Sequence, residues 1–230
     1  MPLSPADILP IDRDALLLGR VWRPDRNGPS PVRVHGDRLI DISATFPTAR
    51  DVCEAEDPAA ALRDVQGEAI GTLADILANT DPRDRDDNHP WLLSPIDLQA
   101  VKAAGVTFAT SMLERVIEER ARGDAGAATG IREQVRALVG DDLRRLRPGS
   151  PEAMALKDAL TAAGAWSQYL EVGIGPDAEI FTKAQPLSTV GVGAEIGVHP
   201  ASSWNNPEPE IVLVIASTGR IIGATLGNDV

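Results

Sequence analysis

The stretch Trp204–Val230, WNNPEPEIVLVIASTGRIIGATLGNDV, sets two glutamates one residue apart at the head of an apolar run and closes on Asn228, Asp229 and Val230. Ile, Val and Thr dominate it, and Ser217-Thr218-Gly219 interrupts it, so it reads as two strands about a turn. Side chains alternate faces along a strand, which puts Glu208 and Glu210 on one face, roughly 7 Å apart along the backbone. A hairpin centred on Thr218 pairs residue 208 with 228 and brings Asp229 beside both glutamates, within a register error of about one or two residues.

Three carboxylates meeting beside an apolar strand repel one another. At about 4 Å and an effective dielectric near 20, each pair costs on the order of 4 kcal/mol. Protonation, pairing with Lys or Arg, or a divalent cation can each relieve that. The donor set is all oxygen, with no His or Cys nearby in sequence, and three ligands leave positions open for water or substrate. Such a set suits hard cations, Mg²⁺ foremost and then Mn²⁺ or Ca²⁺. A Glu-x-Glu on a strand is also a common solvated face, so the motif needs the third carboxylate to carry weight.

Composition bounds the rest. With 230 residues, 43% of them hydrophobic, the chain is long enough for one large domain or two small ones. A formal net charge of −12 argues against a nucleic-acid partner, which needs clustered cations. The longest apolar runs are far short of a membrane helix, and the N-terminus has no basic start with an apolar centre, so a cytoplasmic protein with no membrane partner is expected. One cysteine, Cys53, excludes an internal disulfide, and three histidines make a Cys/His zinc site a poor fit.

Along the chain, VRVHGDRLIDIS reads as a hairpin about His35-Gly36-Asp37, and GEAIGTLADILANT as a short amphipathic helix. Residues 81–90 are charged and proline-bounded, a solvated loop or linker. LQAVKAAGVTF fits strand or helix equally. Helices follow over SMLERVIEERARG, over about 130–140, and over SPEAMALKDALTAAG, which opens with Ser150 as N-cap and Pro151 at the first position. After Gly173, AEIFTK, STVGVGAEIGV, EIVLVIA and RIIGATL read as strands. The fold class expected is α+β, with an N-terminal domain over 1–90 and a β-rich domain over 91–230.

The order P-E-P-E-I-V-L-V-I, a hairpin, then G-A-T-L-G-N-D-V resembles the fumarylacetoacetate hydrolase family, whose Glu-x-Glu strand is followed about 19 residues later by the Asp of an Asn-Asp-Val signature. Upstream, IFTKAQPLSTVG resembles that family's Phe-x-Lys strand and GVTFATSMLERV its strand-to-lid segment, so the resemblance covers about 97–230. WSQYLEVGIGPDAEIFTKAQPLSTVG and SSWNNPEPE look most like its sugar-acid branch, dehydratases of 2-keto-3-deoxy aldonic acids.

The resemblance implies a mixed-sheet roll, Glu208, Glu210 and Asp229 as Mg²⁺ ligands, and a 2-keto acid substrate dehydrated to an α-keto semialdehyde, 2,5-dioxopentanoate, in non-phosphorylative pentose breakdown. It implies Glu114 as acid/base, with Ser111 standing where hydrolase members of the family carry a water-activating His. Ser111 cannot accept a proton as an imidazole does, which disfavours the alternative, a C–C bond hydrolase of acylpyruvates or 2,4-diketo acids. Ser111 and Lys183 are the expected substrate-binding residues, with Lys183 able to neutralise a carboxylate. A homodimer or homotetramer is implied too. In the family, further strands and a catalytic lysine follow the signature, so the chain is expected to be the first part of a longer protein. Ending at Val230, it would be inactive and poorly stable, and a non-catalytic fragment is the remaining alternative.

Overall fold

The structure, a computed structural model, describes residues 3–229 except 13, 106–113, 115, 118–120, 122–125, 127, 128, 134–145, 163, 165, 178 and 203–206. It contains helices and antiparallel sheets, divided into two compact units: residues 1–100 with 184–230, and residues 101–183.

In the first unit a five-stranded sheet has the order β4-β3-β2-β1-β5, from β1 (Leu18–Arg23), β2 (Gly28–His35), β3 (Arg38–Asp41), β4 (Glu68–Thr72) and β5 (Trp91–Leu92). All four pairings in it are antiparallel. The hairpin expected at His35-Gly36-Asp37 is there, with Gly36 at φ +62, a conformation that glycine adopts without strain. Alternation along the strands gives the sheet two apolar faces. One set of buried residues comprises Val21, Val32 and Leu39 with Leu73 and Ile76 of α4 (Leu73–Ala78). The other joins Ile40 and Ile42 to Val52 of α2 (Ala49–Cys53) and Leu62 of α3 (Pro58–Asp64).

GEAIGTLADILANT is not one helix. Residues 68–72 pair with β3 as an edge strand, and only Leu73–Ala78 is helical, capped by Thr72, whose hydroxyl accepts from the Asp75 N–H. Capping at an internal Thr and strand pairing override the helical spacing of Ile70, Leu73, Ile76 and Leu77. The charged segment 81–90 is a loop pinned by side chains: Asn79 donates to the Asp86 and His89 carbonyls, and Arg85 donates to the Thr80 carbonyl while lying over the Trp91 ring. STVGVGAEIGV forms no strand; residues 188–200 are turns and irregular chain, with Gly191, Gly193 and Gly197 interrupting the apolar residues.

A buried ionic cluster ties β1 to β3. Arg23 donates to Asp41 at 2.8 Å and to Glu68 at 2.7 Å, and the Asp41 side chain is only 2% exposed. Burial pushes the Asp41 carboxyl up, but the Ser43 hydrogen bonds and Arg23 outweigh it and leave the group below its ordinary value. A depressed folded pKa stabilises the fold above the unfolded carboxylate range, and that stability is lost as pH falls through the folded value. Arg23→Leu strands Asp41 as a buried charge. Urea denaturation of the variant at pH 7 is expected to show a loss of about 3 kcal/mol, a loss that shrinks as pH falls and Asp41 takes up a proton.

The second unit pairs β6 (Val101–Ala104) with β7 (Ile180–Ala184) and packs helices around Val116, Ala153, Leu160, Leu170 and Ile174. The open choice over LQAVKAAGVTF resolves as strand at Val101–Ala104. α5 (Pro151–Ala162) starts as expected: the Ala153 N–H donates to Ser150 Oγ at 3.2 Å. It packs on α6 (Gln168–Ile174). Glu114, Val116, Ile117 and Ala121 are helical, as are 129–133; the rest of those two predicted helices lies outside the described residues.

Candidate metal centre

The C-terminal hairpin belongs to the first unit. β8 (Glu208–Ile215) and β9 (Ile221–Asp229) form a two-stranded antiparallel sheet with Glu208 opposite Asp229 and Glu210 opposite Gly227. The expected partner of 208 was residue 228. The register shifts by one between Val214 and Ile215, where Ile222 is the extra residue of β9, and that bulge carries Asp229 directly across from Glu208. Gly219, at φ +82, closes the turn, and the Ala216 N–H donates to the Arg220 carbonyl.

Period-two alternation then assembles the site. Directly opposed side chains on an antiparallel pair have Cβ atoms about 5 Å apart, and residues at i and i+2 are the next neighbours on the same face. Glu208, Glu210 and Asp229 each offer a carboxylate oxygen, and the three oxygens lie within 4.8 Å of one another. Glu208 and Asp229 are half-buried and Glu210 is exposed. Gly227, opposite Glu210, has no room for a side chain: a Cβ there would stand 2.8 Å from the Val212 methyl on the same face. The other face of the hairpin carries Ile211, Leu213 and Leu226, all exposed, Leu226 at 82%.

This donor set fits a hard divalent cation. It is all oxygen, carries up to three negative charges, and holds them at a spacing that a cation bridging them would relieve. Glu114 lies in the second unit, on a helix, and is gripped by Arg132: Nε to Oε1 is 3.2 Å and Nη2 to Oε2 is 2.6 Å. Two parallel N–H···O bonds fix the carboxylate plane. Lys183, on β7, has its ammonium 5.2 Å from the centre of the Phe181 ring. Ser111, Asn205 and Asn206 lie outside the described residues. Arg132 had no signature in the sequence: an ion pair across 18 positions on separate helical segments follows no local periodicity.

Fold and site together define an α+β protein with an acidic, oxygen-only cluster on an antiparallel hairpin that could hold a metal ion. Comparison with known proteins places particular relatives beside it. A 62-residue stretch, 27% of this chain, is 45% identical to the probable 2-keto-3-deoxyxylonate dehydratase of Haloferax volcanii, covering 21% of that protein. A 52-residue stretch, 23% of this chain, is 48% identical to the 2-dehydro-3-deoxy-D-arabinonate dehydratase of Saccharolobus solfataricus, covering 17% of it. The fold is similar to that of a 2-keto-3-deoxy-D-arabinonate dehydratase complexed with magnesium and 2,5-dioxopentanoate, at a TM-score of 0.50 and 18% identity. That likeness covers 92% of this chain and 54% of the other, so the chain spans about half of its structural neighbour and the sequence matches about a fifth of each relative. No family model matches the chain. The resemblance to the sugar-acid dehydratases read from the sequence is therefore found again in both comparisons. Among the described residues no helix is long and apolar enough to cross a membrane.

Proposed function

We propose that the chain carries the cation-binding and proton-transfer residues of a divalent-cation-dependent hydro-lyase acting on 2-keto-3-deoxy sugar acids. The observation that carries this reading is the convergence of Glu208, Glu210 and Asp229 within 4.8 Å, supported by the dehydratase relatives. These three residues would hold Mg²⁺, or Mn²⁺ or Ca²⁺ in its place, on the face of β8 and β9. A hard cation bound there supplies Lewis-acid polarisation to the 2-keto oxygen and carboxylate of the substrate.

The chain's own side chains supply the rest. Glu114, oriented by Arg132, accepts the proton from C3. Loss of that proton and of the C4 hydroxyl, which leaves as water once protonated, gives a 3,4-unsaturated 2-keto acid. Removal of a C5 proton with return of a proton at C3 turns it into the 4,5-enol, which is protonated at C4 and ketonises to the α-keto semialdehyde 2,5-dioxopentanoate. Lys183 offers a cation for the substrate carboxylate, and Ser111 a hydroxyl for a substrate oxygen. The finer fold reading, a mixed-sheet roll of the fumarylacetoacetate hydrolase type with the catalytic domain beginning near residue 91 and the homo-oligomer that goes with it, is part of this proposal.

Incubating the protein and Mg²⁺ with a 2-keto-3-deoxypentonate is expected to release 2,5-dioxopentanoate, read by aldehyde trapping, and EDTA is expected to stop it. Cleavage of an acylpyruvate with no dehydration of the sugar acid would transfer the site to the C–C hydrolases.

A further inference from the structure

The ladder between β8 and β9 fixes the three carboxylates relative to one another, but a ladder does not orient a hairpin against its surroundings. That task falls on its tip. Glu54 takes both polar groups of Ser217: the Ser217 N–H donates to Oε1 at 2.9 Å and its hydroxyl to Oε2 at 2.6 Å. Arg220 answers from the other side of the turn, its guanidinium donating to the carbonyls of Glu56 at 3.0 Å and Ala55 at 3.4 Å. Between them Ala216 is buried. These are contacts across 163 to 165 positions of sequence, within one unit.

The receiving loop is itself fixed. Glu54 is the C-cap of α2, and the N-terminus of that helix is held by Asp97, 5% exposed, which accepts from the N–H groups of Ala49 at 2.7 Å and Arg50 at 3.1 Å. Arg20, on β1, sits 3.5 Å from Asp97 and donates to the carbonyls of Ser94 and Ile96. An ion pair and a series of hydrogen bonds therefore link β1 through α2 to the turn of the hairpin.

We propose that Glu54, with Arg220 as its counterpart, is the positioning residue of the carboxylate hairpin: its clasp on Ser217 sets the angle at which the hairpin presents Glu208, Glu210 and Asp229. The proposal rests on the reading of those three as cation ligands. Because the ladder builds the trio, breaking the clasp should disturb where the trio points and leave its affinity for a cation intact.

Spin labels on Asp37→Cys and Leu226→Cys, both exposed and both in the first unit, report the hairpin's angle by electron–electron dipolar spectroscopy, with Cys53→Ser as a background control. The expected result is a single narrow distance distribution, at least about twofold broader in Glu54→Ala and narrowed again in Glu54→Gln, whose amide oxygen still accepts. Mn²⁺ affinity is expected to stay within about twofold in Glu54→Ala, while KM for the sugar acid rises about tenfold. An unchanged distance distribution in Glu54→Ala overturns the proposal. If Glu208→Gln binds Mn²⁺ as the unaltered protein does, the cation reading fails instead, and the distance measurement still decides the clasp.

Discussion

Glu208→Gln is expected to weaken Mg²⁺ or Mn²⁺ binding by about 30-fold or more and to lower turnover with it. Gln keeps the length and one acceptor oxygen but removes a full charge from beside a dication. In a half-exposed site, where the effective dielectric is well above that of the interior, this is about 2 kcal/mol, or roughly 30-fold in affinity. The effect on stability runs the other way. Without a cation Glu208 stands among like charges, directly across from Asp229, so Glu208→Gln should be slightly more stable than the parent in EDTA. Adding Mg²⁺ at about 100 times Kd raises stability by about 2.7 kcal/mol in the parent and by much less in the variant. Calorimetric titration together with thermal unfolding with and without Mg²⁺ reads both signs. An exposed acidic patch with no cation function would show the gain in stability in EDTA and neither the loss of cation binding nor the loss of Mg²⁺-linked stabilisation.

Glu114→Gln is expected to cut turnover by about 10² to 10⁴-fold, the range of a lost general base, with cation affinity unchanged. Gln retains hydrogen bonding to Arg132 but cannot take a proton, so the loss should fall on kcat rather than KM. Arg132→Leu should give a smaller loss, since the carboxylate remains but its two-point restraint at 3.2 and 2.6 Å is gone. Steady-state kinetics of the two variants on the same sugar acid makes the comparison. Equal losses in both would point to disruption of the helices around Val116 and Ile131 rather than to lost proton transfer.

The C-terminal hairpin was legible from the sequence because its information is local. Alternation fixed which face Glu208 and Glu210 share, and the glycine after Ser217-Thr218 fixed the turn. The one-residue error in the pairing arose at the bulge beside Ile215, which depends on how the turn closes rather than on any residue type. GEAIGTLADILANT was misread because helical spacing also occurs in a strand followed by a helix, and only pairing with β3 separates the two. STVGVGAEIGV has strand residues but forms no strand, since β composition without a partner strand has no ladder to join. The Arg132 grip on Glu114 and the Glu54 clasp on Ser217 escaped for one reason: both are long-range side-chain contacts. The likeness to the sugar-acid branch was carried by whole motifs, WSQYLEVGIGPDAEIFTKAQPLSTVG and SSWNNPEPE, since no residue spacing alone distinguishes that branch from other uses of an acidic hairpin.

The most direct test is a crystal of the protein grown with Mn²⁺ and measured for anomalous scattering. One strong peak is expected between the carboxylates of Glu208, Glu210 and Asp229, with Mn–O distances near about 2.1 to 2.3 Å and water completing the shell. No peak there under saturating Mn²⁺, with the three side chains turned to bulk solvent, would contradict the cation site and everything inferred from it.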